Sequence, residues 1–183
     1  MTDGILEQKW HYFFSVLDTD RNGVLQPSDF LLVADRIGNL VQFNRAEQKT
    51  NLSSRSYRLF IQITTDIGKE ETTLTREEWI EFFSNIVLNR PSRYIATTAR
   101  YIFSLFDQDG DGFISREEYL DMIRAYGLNL DEIEDNFALL DLNDDGYISK
   151  YEMIQAFEAF FLSNNRTDPG NWIYGDWKEI YIN

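Results

Sequence analysis

Residues 107 to 118 form an acidic, glycine-containing segment that reads Asp107-Gln108-Asp109-Gly110-Asp111-Gly112-Phe113-Ile114-Ser115-Arg116-Glu117-Glu118. Oxygen-bearing side chains stand at positions 1, 3, 5, 9 and 12 of this segment, and glycine stands at position 6. A calcium ion prefers about six to eight oxygen ligands, and a loop with this spacing can wrap around one. The glycine permits a sharp turn that a side chain would obstruct. The segment is therefore predicted to be a calcium loop between two helices.

The predicted ligands of this loop are Asp107, Asp109, Asp111, Phe113 and Glu118. Phe113 contributes only its backbone carbonyl, whereas Glu118 reaches back from the following helix to chelate with both carboxylate oxygens. Ser115, at position 9, ligates directly or through a water molecule. Ile114, at position 8, is expected to form a short strand with the same position of a partner loop. A solvated acidic turn, the alternative, would need none of this regularity.

A second complete loop begins 34 positions later, at residue 141. Its predicted ligands are Asp141, Asn143, Asp145, Tyr147 through its carbonyl, and Glu152, with Gly146 at position 6 and Ser149 at position 9. The spacing leaves room for one helix leaving the first loop and one helix entering the second. Two matches at this spacing predict a pair of helix–loop–helix units.

An earlier loop at residues 18 to 29 follows the pattern with one change. Its predicted ligands are Asp18, Asp20, Asn22, Val24 through its carbonyl, and Asp29, with Gly23 at position 6 and Gln26 at position 9. Position 12 is Asp29 instead of glutamate, and the shorter side chain makes bidentate chelation harder. We expect this loop to bind a cation with fewer ligands and to discriminate less against magnesium. An inert turn is the alternative.

Residues 66 to 78 keep only the second half of the pattern. Residues 74 to 78 align with residues 114 to 118, so the pairing strand is retained. In the first half, positions 1, 3 and 6 are occupied by Ile67, Lys69 and Thr72. Because isoleucine and lysine cannot serve as calcium ligands, we predict a degenerate loop that is kept for structure and binds no metal.

Apolar residues recur at helical spacing on both sides of each loop, which predicts an all-α chain. Four helix–loop–helix units, or EF-hands, are expected to form two pairs in a compact globule, with short strand pairing between the loops of each pair. The break at Asn89-Arg90-Pro91 separates an N-terminal pair (residues 1–90) from a C-terminal pair (residues 91–163).

The last segment, residues 164–183, is a polar tail with aromatic residues at Trp172, Tyr174 and Trp177. Exposed aromatic patches are uncommon, so we expect the tail to pack on the body of the protein. There it is predicted to cover an apolar groove shared by the two pairs. A tail that is exposed and binds a partner is the alternative.

Composition limits the classes of function. The chain has 183 residues, of which 31 are acidic and 17 basic, so nucleic acid and anionic membranes are not expected partners. The absence of cysteine excludes disulfides, thiol catalysis and zinc–thiolate sites. With one histidine and no nucleophile motif, an enzyme is not expected.

No secretion signal, myristoylation pattern or membrane span is visible in the sequence. A soluble, cytoplasmic monomer is therefore expected. Its ligands are expected to be three calcium ions, with magnesium as a competitor in the same sites.

The order of loops, complete, degenerate, complete and complete, resembles that of invertebrate sarcoplasmic calcium-binding proteins. The related neuronal protein calexcitin looks similar around residues 161–164 and the aromatic tail. Asp29 at the end of the first loop and Tyr174-Gly175 near the end of the chain carry the same resemblance. The resemblance implies a compact helical protein that acts mainly as a soluble calcium buffer with magnesium competition.

Two alternatives to a buffer are a calcium sensor and a carrier of a small hydrophobic molecule. Sensors that expose an apolar surface to a target protein favour methionine-rich grooves, and this chain has only Met122 and Met153 on predicted helices. Photoproteins and coelenterazine-binding proteins share this four-hand layout. Photoproteins place several histidines around their ligand, whereas His11 is the only histidine here. The sequence is still compatible with a carrier of another apolar ligand.

Overall fold

The described part of the chain contains eight α-helices and four two-residue strands. This computed structural model describes residues 4–41, 46–70, 72–130 and 133–178. The elements are α1 Ile5–Leu17, β1 Val24–Leu25, α2 Pro27–Leu40, α3 Ala46–Asp66, β2 Leu74–Thr75, α4 Arg76–Phe82, α5 Thr97–Phe106, β3 Phe113–Ile114, α6 Arg116–Ala125, α7 Ile133–Leu140, β4 Ile148–Ser149 and α8 Lys150–Leu162.

Some sequence-based predictions fall outside the described residues. They concern residues 1–3 and 42–45 of the predicted N-terminal pair, residue 71 in the degenerate loop, residues 131 and 132 of the predicted C-terminal pair, and the end of the tail from residue 179. Among the described residues, no helix has both the length and the apolarity needed to cross a membrane.

Each strand lies between two helices and pairs with the strand of a neighbouring hand. Strand β1 pairs with β2, which places Leu25 opposite Leu74, and β3 pairs with β4, which places Ile114 opposite Ile148. All four of these side chains are fully buried, so position 8 contributes to the core as well as to the ladder. The predicted all-α fold of two EF-hand pairs with short strand pairing is confirmed.

The helices that leave the second, third and fourth loops begin with a reciprocal cap. Ser115 accepts a hydrogen bond from the backbone N–H of Glu118, and the Glu118 carboxylate accepts one from the N–H of Ser115. The same cap occurs at Thr75 and at Ser149. Positions 9 and 12 of the loop are therefore also the first and last members of a capping box, which satisfies two backbone donors at the helix start.

Between the two pairs the chain passes through two π-helical segments that a turn at residues 88–90 separates. Helix α4 continues into a π-helical segment, Phe83–Val87, and a second π-helical segment, Ser92–Ala96, leads into α5. The Tyr94 ring packs edge-on against Phe82 with 5.1 Å between centroids, and its hydroxyl donates to Asp66. These contacts fix the connection between the pairs against the body.

An aromatic cluster joins the two pairs through the middle of the molecule. Phe13 of α1 lies 5.1 Å from Phe161 of α8 and 4.7 Å from Tyr174 of the tail, measured between ring centroids. Phe83 stacks on Phe161 at 5.4 Å. Such ring pairs contribute about 0.5–1.5 kcal/mol each beyond the burial of their area.

The tail turns back after α8 and lies against the body. A 3-10 turn at Pro169–Trp172 brings Gly170 onto α8, where an added Cβ would lie only 2.5 Å from the Cα of Ala156, so only glycine fits. Beyond this turn Ile173, Tyr174 and Trp177 are fully buried.

A buried lysine ties α1 to the tail. The ammonium of Lys9 donates at 2.8 Å to the carbonyls of Ala159 and Ser163 and to the side-chain oxygen of Asn171. Two of these acceptors belong to the C-terminal end of α8, where a positive charge is favourable. Burial lowers the pKa of Lys9 to about 8, against attraction from Asp168.

Candidate metal centres and interior cavity

The three loops that match the ligand pattern share one backbone conformation. The glycines at position 6 have φ values of 84°, 89° and 85°, at Gly23, Gly112 and Gly146. Position 4 is also left-handed, even where it is Arg21 or Asp144, the two non-glycine residues with positive φ in the described chain. A left-handed non-glycine residue costs about 1–2 kcal/mol. The loop geometry therefore imposes this conformation at position 4.

The third loop brings its carboxylates together. Oxygens of Asp107, Asp109 and Glu118 all lie within 4.8 Å of one another. Glu118 accepts hydrogen bonds from the backbone N–H of Gln108 at 2.7 Å and of Ser115 at 2.8 Å. Asp111 accepts one from the N–H of Phe113 at 2.8 Å. The donor set consists of oxygens only, which fits a hard cation such as calcium or magnesium.

The first loop has the same arrangement despite its shorter closing side chain. Oxygens of Asp18, Asp20 and Asp29 lie within 4.8 Å of one another. Asp29 accepts from the backbone N–H of Thr19 at 3.1 Å and of Gln26 at 2.8 Å. These are positions 2 and 9, the positions that Glu118 contacts in the third loop.

The fourth loop keeps the framework but has an amide at position 3. Asp141 accepts from the backbone N–H of Asp145 at 3.1 Å and of Gly146 at 2.7 Å. Glu152 accepts from the N–H groups of positions 2 and 9 at 2.9 and 2.7 Å. Asn143 takes the place of an aspartate, so this loop carries one carboxylate fewer at its centre than the third loop.

The second loop has an ammonium group at its centre. Lys69, at position 3, lies 2.7 and 2.8 Å from the two carboxylate oxygens of Glu78, at position 12. Glu78 also accepts from the backbone N–H of Thr75 at 2.7 Å. Burial opposes ionisation of Glu78, but the bonds from Lys69 and Thr75 outweigh it, so the pKa of Glu78 lies below its ordinary value.

This ion pair was missed by the sequence-based prediction, which expected only the loss of the metal. The signal was present, because positions 3 and 12 face each other across every loop of this type. The backbone also differs, since Gly68, at position 2, is the only described residue of this loop with positive φ.

An apolar cavity of about 300 Å³ lies between the two pairs. Its wall includes Phe30 and Trp79 of the N-terminal pair, Phe157 of α8 and Tyr174 of the tail. His11 is not among the described residues that line it.

The polar groups deep in the cavity wall already have partners. The indole N–H of Trp79 donates to the carbonyl of Trp10 at 3.0 Å, and Tyr94 donates to Asp66. The hydroxyls of Tyr126 and Tyr174 bond to each other, and burial raises the pKa of Tyr126 to about 12. The cavity interior therefore presents apolar surface to anything that enters it.

Residues 96–162 match a family model described as an EF-hand domain pair. No curated protein sequence matches the chain. The structure is similar to that of coelenterazine-binding protein from Renilla muelleri in its calcium-loaded apo form. That comparison has a TM-score of 0.74 and 22% identity, and covers 96% of this chain and 99% of the other.

Two further solved structures extend the comparison. A Streptomyces coelicolor calcium-binding protein gives a TM-score of 0.70 with 24% identity over 85% of this chain and 97% of its own. The ctenophore photoprotein berovin, in a magnesium-loaded apo form, gives 0.66 with 21% identity over 84% and 87%. At these identities the similarity shows the fold. The chain therefore has the fold of calcium-binding EF-hand proteins, and its residues 96–162 match an EF-hand pair.

Proposed function

We propose that this chain binds three divalent cations through the loops at residues 18–29, 107–118 and 141–152, and buffers calcium with magnesium as a competitor. The observation that supports this most strongly is the left-handed backbone shared by positions 4 and 6 of these three loops. In the first and third loops, three carboxylates also lie with oxygens within 4.8 Å of one another. The loop at residues 67–78 has neither feature and holds an ammonium instead. All three calcium-binding loops of berovin bind magnesium, which supports competition here.

A buffer role is favoured over a sensor role by the position of the tail. A sensor opens an apolar groove when calcium binds. Here the rings of Tyr174 and Trp177 are buried, and Tyr174 contacts Phe13 from one pair and Phe160 from the other. We propose that the tail keeps this interior closed in the calcium-bound protein, which acts as a cytoplasmic monomer of the sarcoplasmic calcium-binding type.

Calorimetric titration with calcium, together with native mass spectrometry, tests the number of sites. We expect three ions per chain, and a lower apparent calcium affinity when magnesium is present. Four ions, or two ions with the first loop empty at millimolar calcium, would contradict the proposal.

Binding of a hydrophobic dye tests the buffer role. The intact protein in calcium should bind little dye, whereas a variant lacking residues 164–183 should bind more and melt at a lower temperature. Strong dye binding by the intact, calcium-loaded protein, unchanged by the truncation, would favour a sensor.

The interior cavity favours a second candidate function, that of a carrier of a small apolar molecule. A volume of about 300 Å³ is at the lower end of the range typical of small-molecule sites, roughly 300–1,000 Å³. One protein of similar structure is a coelenterazine-binding protein. Calorimetric titration with decanol tests this function, because its signal does not depend on the four tryptophans of the chain or on one added by mutation. A Thr98→Trp variant, which narrows the cavity at its edge, should bind decanol more weakly.

A further inference from the structure

The cavity opens to solvent on one side only. Of the described residues in its wall, all are buried except six, and these six come from α3 and from α5. They are Arg55, Ser56, Leu59, Thr97, Thr98 and Tyr101. The mouth of the cavity therefore lies between these two helices.

The mouth is polar, in contrast to the interior. Five of its six residues carry a hydroxyl or a guanidinium group, and Leu59 is the exception. Among the described residues that line the cavity, Arg55 is the only charged one, and its guanidinium lies 4.6 Å from the centre of the Tyr101 ring. A polar group on a ligand would find partners here and nowhere deeper.

The surroundings of the mouth are basic in an otherwise acidic protein. Residues 49–65 of α3 and residues 92–106 contain five basic residues and no acidic one, whereas the whole chain has a net charge of −14. The first acid after the α3 run, Asp66, lies 3.7 Å from Arg93 and accepts from Tyr94. An anion approaching the mouth is therefore attracted there and repelled by most of the remaining surface.

We propose that the cavity accepts an elongated amphiphile with an apolar body and one anionic end, such as a medium-chain carboxylate. The body occupies the aromatic interior, and the carboxylate stays at the mouth, where Arg55 donates to it. A guanidinium suits this role because its planar donors match the two oxygens of a carboxylate. This inference rests on the carrier function proposed above and adds the chemical class of the ligand.

The test compares three ten-carbon probes below their micellar concentrations: decanoate, decanol and decyltrimethylammonium. Magnesium replaces calcium in the buffer to avoid calcium soaps. We expect decanoate to bind about fivefold more tightly than decanol, as for an ion pair at a partly exposed site. The cationic probe should bind most weakly. Raising the salt concentration should reduce the difference in affinity between decanoate and decanol.

Two arginine variants locate the effect. Arg55→Gln should bring decanoate and decanol to the same affinity. Arg58→Gln is the matched control, because Arg58 is an exposed arginine of the same helix that does not line the cavity. It should leave most of the preference for decanoate in place, because it removes only a more distant charge. Circular dichroism and melting temperature show whether each variant keeps the wild-type fold.

The outcomes separate this inference from the carrier function itself. If decanol binds as tightly as decanoate, and Arg55→Gln changes neither affinity, the ligand is not specifically anionic, while the carrier function stands. If none of the three probes binds, the carrier function fails. If decanoate binds preferentially but Thr98→Trp does not weaken it, the anion is bound at the surface and the proposed site is wrong.

Discussion

The loops at residues 67–78 and 107–118 share the same strand and helix start, but the side chains at their centres differ. Both continue from a buried strand residue into a capping box, formed by Thr75 and Glu78 in one and Ser115 and Glu118 in the other. The third loop brings oxygens of three carboxylates within 4.8 Å of one another. The second loop places the ammonium of Lys69 against Glu78. An EF-hand can therefore keep its strand and its capped helix start when a lysine of the chain supplies the positive charge at the loop centre.

This difference shows that the interactions that stabilise the strand and the cap are separate from those that form a metal site. The strand is stabilised by burial of Leu74 against its partner Leu25, and the cap by two hydrogen bonds at the helix start. Neither needs an ion. The glutamate at position 12 does need a positive partner, because its carboxylate faces the centre of the loop. We expect the second hand to stay ordered without metal, in contrast to the third.

The largest expected effect comes from replacing the closing carboxylate in a metal loop. Glu118→Gln and Glu152→Gln should each weaken one site by about tenfold or more, because the amide removes a charge and one of two chelating oxygens. Glu78→Gln should leave cation binding unchanged. Calcium calorimetry on the three variants measures these effects. Comparable loss of calcium from Glu78→Gln would mean that the second loop binds metal after all.

Removing the ammonium tests the second loop from the other side. Lys69→Met should lower the free energy of unfolding by about 1–2 kcal/mol, because it leaves the partly buried Glu78 carboxylate without its partner. Urea unfolding at fixed calcium measures the change.

Lys49→Met is the matched control, since Lys49 is an exposed lysine that donates to Asn39. Its effect should stay within about 0.5 kcal/mol. Adding Glu78→Gln to Lys69→Met should recover part of the loss. Equal effects of the two lysine variants would show that the ammonium does not stabilise the loop.

A smaller effect is expected at the closing residue of the first loop. Asp29→Glu should raise the preference for calcium over magnesium by roughly three- to tenfold, because a second chelating oxygen favours the larger ion. Competition calorimetry at fixed magnesium measures this ratio. Asp29 is fully buried, so the melting temperature must be followed as well. An unchanged ratio would mean that Asp29 already chelates with both oxygens.

The smallest expected effect is the acid dependence of the ion pair in metal-free protein. The folded-state pKa of Glu78 lies below its ordinary value of 4.5. The pair therefore stabilises the fold above pH 4.5, and this contribution is lost as the pH falls through the folded-state pKa. The stability difference between wild type and Lys69→Met should shrink over that range. A difference that stays constant with pH would exclude ionised Glu78 as the partner of Lys69.

The sequence by itself was sufficient to predict the fold and to identify candidate metal ligands. Each loop pattern lies within twelve residues, and the conformation it requires depends mainly on neighbours in the chain. For the same reason the helices that enter the three complete patterns end directly before position 1, at Leu17, Phe106 and Leu140. A local pattern can be read from sequence because its partners are at fixed separations.

Only the tertiary structure decided what lies between the hands. Phe13 and Tyr174 are far apart in sequence, yet their rings are 4.7 Å apart, and no local pattern predicts this contact. Lys9 has the sequence features of a surface lysine, but three acceptors from α8 and the tail surround it. The mouth of the cavity at Arg55 depends on where α3 and α5 lie relative to each other in the folded chain. Such features depend on the sum of many distant contacts, which spacing along the chain does not encode.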